Sequence, residues 1–204
     1  MASPLMCASG AKAALEAKNG ILQIDTIAED IERGRTELTV VLLREYQSLA
    51  IQGIYPCQGG FRDARVKIRI DDGKGHQPPE AARVSDLVVS MVEATRDRQQ
   101  VALWRSAYAL WRLNWIHPFR GGNGRTARAC SYFILCADLG YVPHGNPTVP
   151  EYICERRDQY IDALKNADAS VADMDSPSGV DISDLEELLD SALRAQLFAG
   201  YPVP

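Results

Sequence analysis

The chain has 204 residues, 46% of them hydrophobic, enough to bury a substantial core, and it is read as one domain with tails. Its formal net charge of -5 argues against general nucleic-acid binding, which needs clustered Lys and Arg, and no apolar run approaches the length of a membrane span. The cysteines Cys7, Cys57, Cys130, Cys136 and Cys154 are odd in number and lack zinc-site spacing, which predicts reduced thiols. With no charged region followed by an apolar signal core at the amino terminus, the expected compartment is cytoplasmic, either in the producing cell or in a host cell that receives the protein.

Residues 1–10 are small and polar and are expected to be a flexible N-terminus. Ile21, Ile24, Ile27, Ala28 and Ile31 recur at three and four residue spacing, which predicts a helix from Ala11 to Arg33 with Gly34 as its stop. A second helix is predicted over Thr36 to Ala50, with Leu38, Val41, Leu42, Tyr46 and Leu49 on its buried face. The character then changes. Val66, Ile68 and Ile70 alternate with Lys67 and Arg69 ahead of a Gly-rich turn, so a short β-hairpin is expected within residues 61–77. Helices resume over Val84 to Thr95 and Val101 to Trp115, where Val101, Trp104, Tyr108, Trp111 and Trp115 form a stripe read as core. Further helices are predicted over Arg125 to Leu139 with Gly140 as stop, Tyr152 to Asn166, and Ser183 to Phe198, the last preceded by an acidic linker at 167–182. His76 and His144 read as exposed loop histidines.

Between two of these helices lies HPFRGGNGRTAR, residues 117–128. A helix start exposes unsatisfied N–H groups and the positive end of the macrodipole, and glycines let backbone approach a ligand closely, so the run suits an anion. Arg120, Arg125 and Arg128 make a basic island in an acidic protein, which fits one small polyanion better than a duplex. His117 adds a proton acceptor.

The run resembles the signature of the Fic family, HPFx(D/E)GNG(K/R)xxR. His117, Pro118, Phe119, Gly122, Asn123, Gly124, Arg125 and Arg128 fill their positions in order, while Gly121 stands where the family usually has an acidic metal ligand. The resemblance implies a mainly α Fic-like helical bundle over residues 11–166, with the hairpin as a flap beside the active-site loop. Arg65, Val66, Lys67 and Ile68 would then hold the target's modifiable segment as an added strand. It implies transfer of a nucleoside monophosphate, most commonly AMP from ATP, onto a Ser, Thr or Tyr hydroxyl of a target protein.

In that chemistry His117 is the general base. Gly122, Asn123 and Gly124 form an anion cradle, with Asn123 also capping the following helix and donating to the nucleotide, and Arg125 and Arg128 clamp the outer phosphates. Gly121 has no ligand to give Mg²⁺. Three readings stay open: metal held by phosphates and waters, a changed donor or reaction, or a non-catalytic nucleotide- or protein-binding scaffold. Arg120 is a candidate source of positive charge in place of metal. Many relatives are restrained by a helix bearing (S/T)xxxE(G/N); Ser183 to Glu187 matches its first half, with Leu188 at the last position, and a separate antitoxin or inhibitor protein is the alternative.

Overall fold

The computed structural model describes residues 4–56, 59–66, 76–174 and 179–199, and within them the chain is mainly helical. Helix α1 (Pro4–Glu32) starts well before the expected boundary. Proline is favourable in a first turn, and the Ala, Leu, Lys and Glu content that follows propagates a helix even where apolar periodicity is weak. The helix thus takes in residues 4–10, which the sequence had placed ahead of it. α1 ends where Gly34 takes a left-handed φ of 76°.

Helix α2 (Val40–Ile51) begins later than expected because the Thr39 hydroxyl accepts the Leu42 N–H at 3.1 Å and makes Thr39 the cap. Its buried face is Leu42, Leu43, Tyr46, Gln47, Ala50 and Ile51, whereas Val41, expected inside, is 65% exposed. Polar side chains of α1 determine how the pair docks. Asn19 donates to the Gln52 carbonyl at 2.9 Å, Gln23 to the Tyr46 carbonyl at 2.7 Å, and the Tyr46 hydroxyl donates to Asp30 at 2.8 Å.

A turn of 3₁₀ helix at Ala81–Arg83 leads into α3 (Val84–Ala94). Helices α4 (Ala102–Ile116) and α5 (Asn123–Leu139) follow and share the most extensive contact in the molecule. Ala107, Ala109, Ala127 and Ala129 are fully or almost fully buried, and Ser106 donates to the Ser131 carbonyl at 2.8 Å, so small side chains let these helices approach closely. Trp111 is fully buried as expected, but Val101 is 66% exposed and Trp104 and Trp115 are only partly covered. α5 stops at Gly140, whose φ of 79° allows its N–H to bond the Cys136 carbonyl at 2.8 Å. Cys130 and Cys136 are buried free thiols, and burial pushes both well above the ordinary thiol range.

The single helix expected over Tyr152 to Asn166 is two, α6 (Val149–Glu155) and α7 (Arg157–Ser170). The break falls at Arg156, with φ −107° and ψ 43°. No Gly or Pro marks it, so apolar periodicity reads straight through. α8 (Ser183–Leu197) buries Leu185, Leu188, Leu189 and Ala192 against α4, α6 and α7, which makes it part of the common core. Gln196 locks it there: its Nε2 donates to the Tyr132 hydroxyl at 2.8 Å and the Pro143 carbonyl at 2.7 Å, and its Oε1 accepts the Val149 N–H at 3.1 Å. Gly145 lies directly under this joint, and a Cβ there would fall 1.7 Å from the Gln196 carbonyl oxygen. Gly145→Ala is therefore expected to destabilise the fold by about 2 kcal/mol or more, read as a lower urea midpoint at unchanged slope.

No β-strand occurs among the described residues. Residues 61–66 run without regular structure, and the body of the expected hairpin, including Lys67 and Ile68, lies outside the described residues.

Candidate active site

The α4–α5 joint presents residues 117–122 at the point where one helix ends and the next begins. His117 caps α4 in a left-handed conformation, φ 49° and ψ 59°, the only non-glycine with positive φ among the described residues. Holding an imidazole there costs on the order of 1 kcal/mol or more, and the surrounding structure must impose it.

Arg62 does so. Its side chain is 3% exposed, and no acid among the described residues pairs with it. Instead Nε donates to the His117 carbonyl at 2.8 Å, while the terminal nitrogens reach the carbonyls of Pro79 at 2.5 Å, Ala64 at 3.2 Å and Ile116 at 3.3 Å. Its own N–H donates to the Pro118 carbonyl at 2.8 Å. A guanidinium at the carboxyl end of α4 also meets the negative end of the helix dipole. The sequence offered no sign of this role, since Arg62 lies 55 positions before the histidine whose carbonyl it binds.

Asn123 is 3% exposed and braces the loop from the other side. Its Oδ1 accepts the Phe119 N–H at 2.9 Å and its Nδ2 donates to the Phe119 carbonyl at 2.8 Å. This corrects one expectation: Asn123 does not cap α5, a position held by Gly122 at φ 79°. Phe119 is fully buried against Phe61, with ring centroids 5.5 Å apart, and so anchors the loop. Gly122 is required twice over: its φ is left-handed, and a Cβ there would lie 2.6 Å from Ile51 Cγ2.

The arginines divide. Arg128 reaches the wall of a cavity of about 400 Å³ that His117 also lines. Arg125 turns away, donating to the Ala50 carbonyl and pairing with Glu16 of α1 at 3.3 Å. Arg120 is exposed and bonded to Asp63. Arg65 is exposed and bonded to Glu80, and Val66 is half-buried. Ser183 bonds to Asp181, and Glu187 is exposed without an ion pair to the motif arginines among the described residues, so the structure does not bring the SxxxE match to the site.

Beyond His117 and Arg128 the cavity is walled by Trp115 of α4 and by Ile161 and Leu164 of α7, with Asn114, Arg157 and Asp168 as polar groups on its edge. Trp115 is thus a cavity wall as well as a core neighbour. The Asp168 carboxylate accepts the Trp111 indole N–H at 2.8 Å, and its burial raises its affinity for a proton. His76, expected to be exposed, instead lines this cavity; its Nε2 lies 2.7 Å from the Trp115 carbonyl, and its ring stands 5.9 Å from that of Trp115. His144 is exposed as expected.

His117 Nδ1 is buried, so proton exchange with the cavity falls to Nε2. Burial pushes the imidazole down from 6.5 to about 4; nearby His76 and Arg62 act in the same direction, and the Asn114 backbone opposes them. The ring is therefore neutral and able to accept a proton at physiological pH. Because the unfolded chain protonates near 6.5 and the folded one near 4, stability is fully present above about pH 6.5 and falls as acid is added toward pH 4. An NMR titration is expected to place the His117 ring near 4, and His117→Gln to lose less stability across that window than the parent.

The resemblance also raises Mg²⁺, and the donors here do not fit it. Gly121 carries no ligand, the described residues contain no group of three or more His, Cys, Asp or Glu able to share an ion, Glu16 and Asp63 are each paired with a motif arginine, and Asp168 on the cavity wall accepts the Trp111 indole N–H.

A glycine-lined loop at a helix start thus lies beside a histidine and an arginine that line one cavity. The Fic/DOC family model matches residues 37–135, a stretch that contains the whole of the 117–128 run. Among solved structures, a Fic family protein from Desulfovibrio desulfuricans aligns at 25% identity and a TM-score of 0.64, over 87% of this chain and 51% of its own. A Fic domain containing signaling protein from Bacteroides thetaiotaomicron aligns at 18% identity and 0.69, over 93% and 74%. Fic-1 from C. elegans aligns at 19% identity and 0.56, over 87% and 50%. The chain thus spans about half the length of the first and third of these. No curated protein matches it. Fic-family proteins generally transfer nucleotides or other phosphate-containing groups onto proteins, and among the described residues no helix is long and apolar enough to cross a membrane.

Proposed function

We propose that the protein is a nucleotidylyltransferase that moves a nucleoside monophosphate, AMP from ATP, onto a Ser, Thr or Tyr hydroxyl of a target protein. The observation that carries this reading is the placement of a neutral His117 and the Arg128 guanidinium on one cavity at the start of α5. The target oxygen attacks the α-phosphorus, its proton passes to His117 Nε2, and the bond from the α-phosphorus to the bridging oxygen breaks to release pyrophosphate. Arg128 and the N–H groups opening α5 hold phosphate oxygens. The Trp115, Ile161 and Leu164 surface would cover the base, and a cavity of about 400 Å³ lies within the usual range of small-ligand sites. The target segment would enter past residues 61–66, beside the loop that Arg62 fixes.

The test is incubation of the purified chain with each nucleoside triphosphate and a cell lysate, with mass spectrometry of the products. One protein adduct of nucleotide-monophosphate mass, absent with His117→Ala, supports the reading and names the donor. Binding of nucleotide without transfer from any donor would replace it with a non-catalytic binding module, and an adduct of another mass would show transfer of a different phosphate-containing group.

A further inference from the structure

The carboxyl end of α2 lies directly on the backbone of the anion loop. A Cβ on Gly121 would fall 3.0 Å from Tyr55 Cε2 and 3.2 Å from its Cδ2, so a side chain at 121 would press on the phenol ring, itself 43% exposed, and displace it by a few tenths of an ångström. Tyr55 is tied back to α2 by its N–H on the Ile51 carbonyl at 3.2 Å, and Lys12 of α1 stands 5.7 Å from its ring centre. The Gly121 carbonyl, the remaining oxygen at that residue, accepts Gln47 Nε2 at 3.2 Å. Gln47 is itself 1% exposed and fixed through its Oε1 on the Gly59 N–H at 2.6 Å.

We infer that this site takes the phosphates of its ligand without a divalent cation held by the protein, and that Tyr55 crowds the place a metal-binding side chain at 121 would need. The inference rests on the proposed nucleotide transfer for the identity of the ligand, and on the local donors for its substance. A divalent ion that binds phosphates needs oxygen ligands free of other partners. Here the carboxylates beside the motif arginines are engaged, Glu16 with Arg125 at 3.3 Å and Lys12 at 4.0 Å and Asp63 with Arg120, and Asp168 on the cavity accepts the Trp111 indole N–H at 2.8 Å. Fixed positive charge takes over the neutralisation, from Arg128 on the cavity wall and from the amino end of α5. Gly121 and Tyr55 are then one feature, a small residue kept small by an aromatic neighbour 66 positions earlier in the chain.

Calorimetric titration of ATP into the full-length His117→Ala protein, in EDTA and in Mg²⁺, tests this without turnover. The dissociation constants are expected to agree within about fivefold, whereas tightening by more than that in Mg²⁺ overturns the inference. In the same background Tyr55→Ala with Gly121→Asp is expected to acquire Mg²⁺-dependent binding, and Gly121→Asp alone to bind ATP more weakly than the pair, with circular dichroism confirming the fold of each. Equal binding by the single and double variants would overturn the role of Tyr55. If ATP does not bind under either condition, the nucleotide-transfer reading falls by itself. Tripolyphosphate then serves as the probe: binding in EDTA upholds the metal-free anion site, and binding that needs Mg²⁺, or none, overturns it.

Discussion

Replacing His117 by alanine is expected to lower protein modification by roughly 10² to 10⁴ while nucleotide binding stays within a few fold of the parent. The separation follows from what the ring touches. Its Nδ1 is buried, its other nitrogen serves the cavity, and the phosphate-binding duties fall to Arg128 and the backbone at the start of α5. Loss of the proton acceptor therefore acts on the reacting oxygen and not on the donor's phosphates. Alanine also relieves a strained left-handed residue only slightly, because a Cβ remains, so the variant should fold with near-parental stability at neutral pH. The measurement is single-turnover transfer beside calorimetric nucleotide affinity. A parallel fall in both would place His117 in binding and remove its role as base.

Arg62→Ala is the second large effect. Four carbonyls, of Ala64, Pro79, Ile116 and His117, would lose a buried charged donor, which is expected to cost on the order of 3 kcal/mol of stability. Activity should fall further than stability accounts for. Nothing else described bonds the His117 carbonyl, and a displacement of about 1 Å in a catalytic group can cost about 10² in rate. Arg62→Lys tests the geometry, since a single ammonium keeps the charge but cannot fork across four acceptors. It is expected to recover stability in urea more than it recovers turnover. Equal recovery of both would mean that Arg62 acts only through overall stability.

Much of the site was legible before any coordinates. The motif places His117 at the end of one helix and the glycines at the start of the next, and local rules about helix termini, which depend on a few adjacent residues, suffice for that. Gly34 and Gly140 as helix stops came from the same local rules. Three assignments needed distance information. Asn123 was expected to cap α5, yet Gly122 holds that position and the Asn123 amide bonds both the N–H and the carbonyl of Phe119, because a buried amide must satisfy its own polar atoms. Arg125 and Arg128 have matching spacing and chemistry, but α1 and α2 capture Arg125 through Glu16 and Ala50. His76 moved from loop to cavity wall because the Trp115 carbonyl offers it a partner.

What the sequence by itself determined is the set of groups at the proposed site: glycines at a helix start, a histidine beside them and no side-chain ligand at 121. These depend on residue type and short spacing, and no later contact can add a carboxylate to a glycine. What only the tertiary structure decided is which of those groups are free to act. Hydrogen-bond satisfaction and close packing are settled between residues far apart in the chain. Arg62 on His117, Glu16 on Arg125 and Tyr55 on Gly121 each join positions more than fifty apart, and such pairings leave no periodic trace for a sequence reading to find.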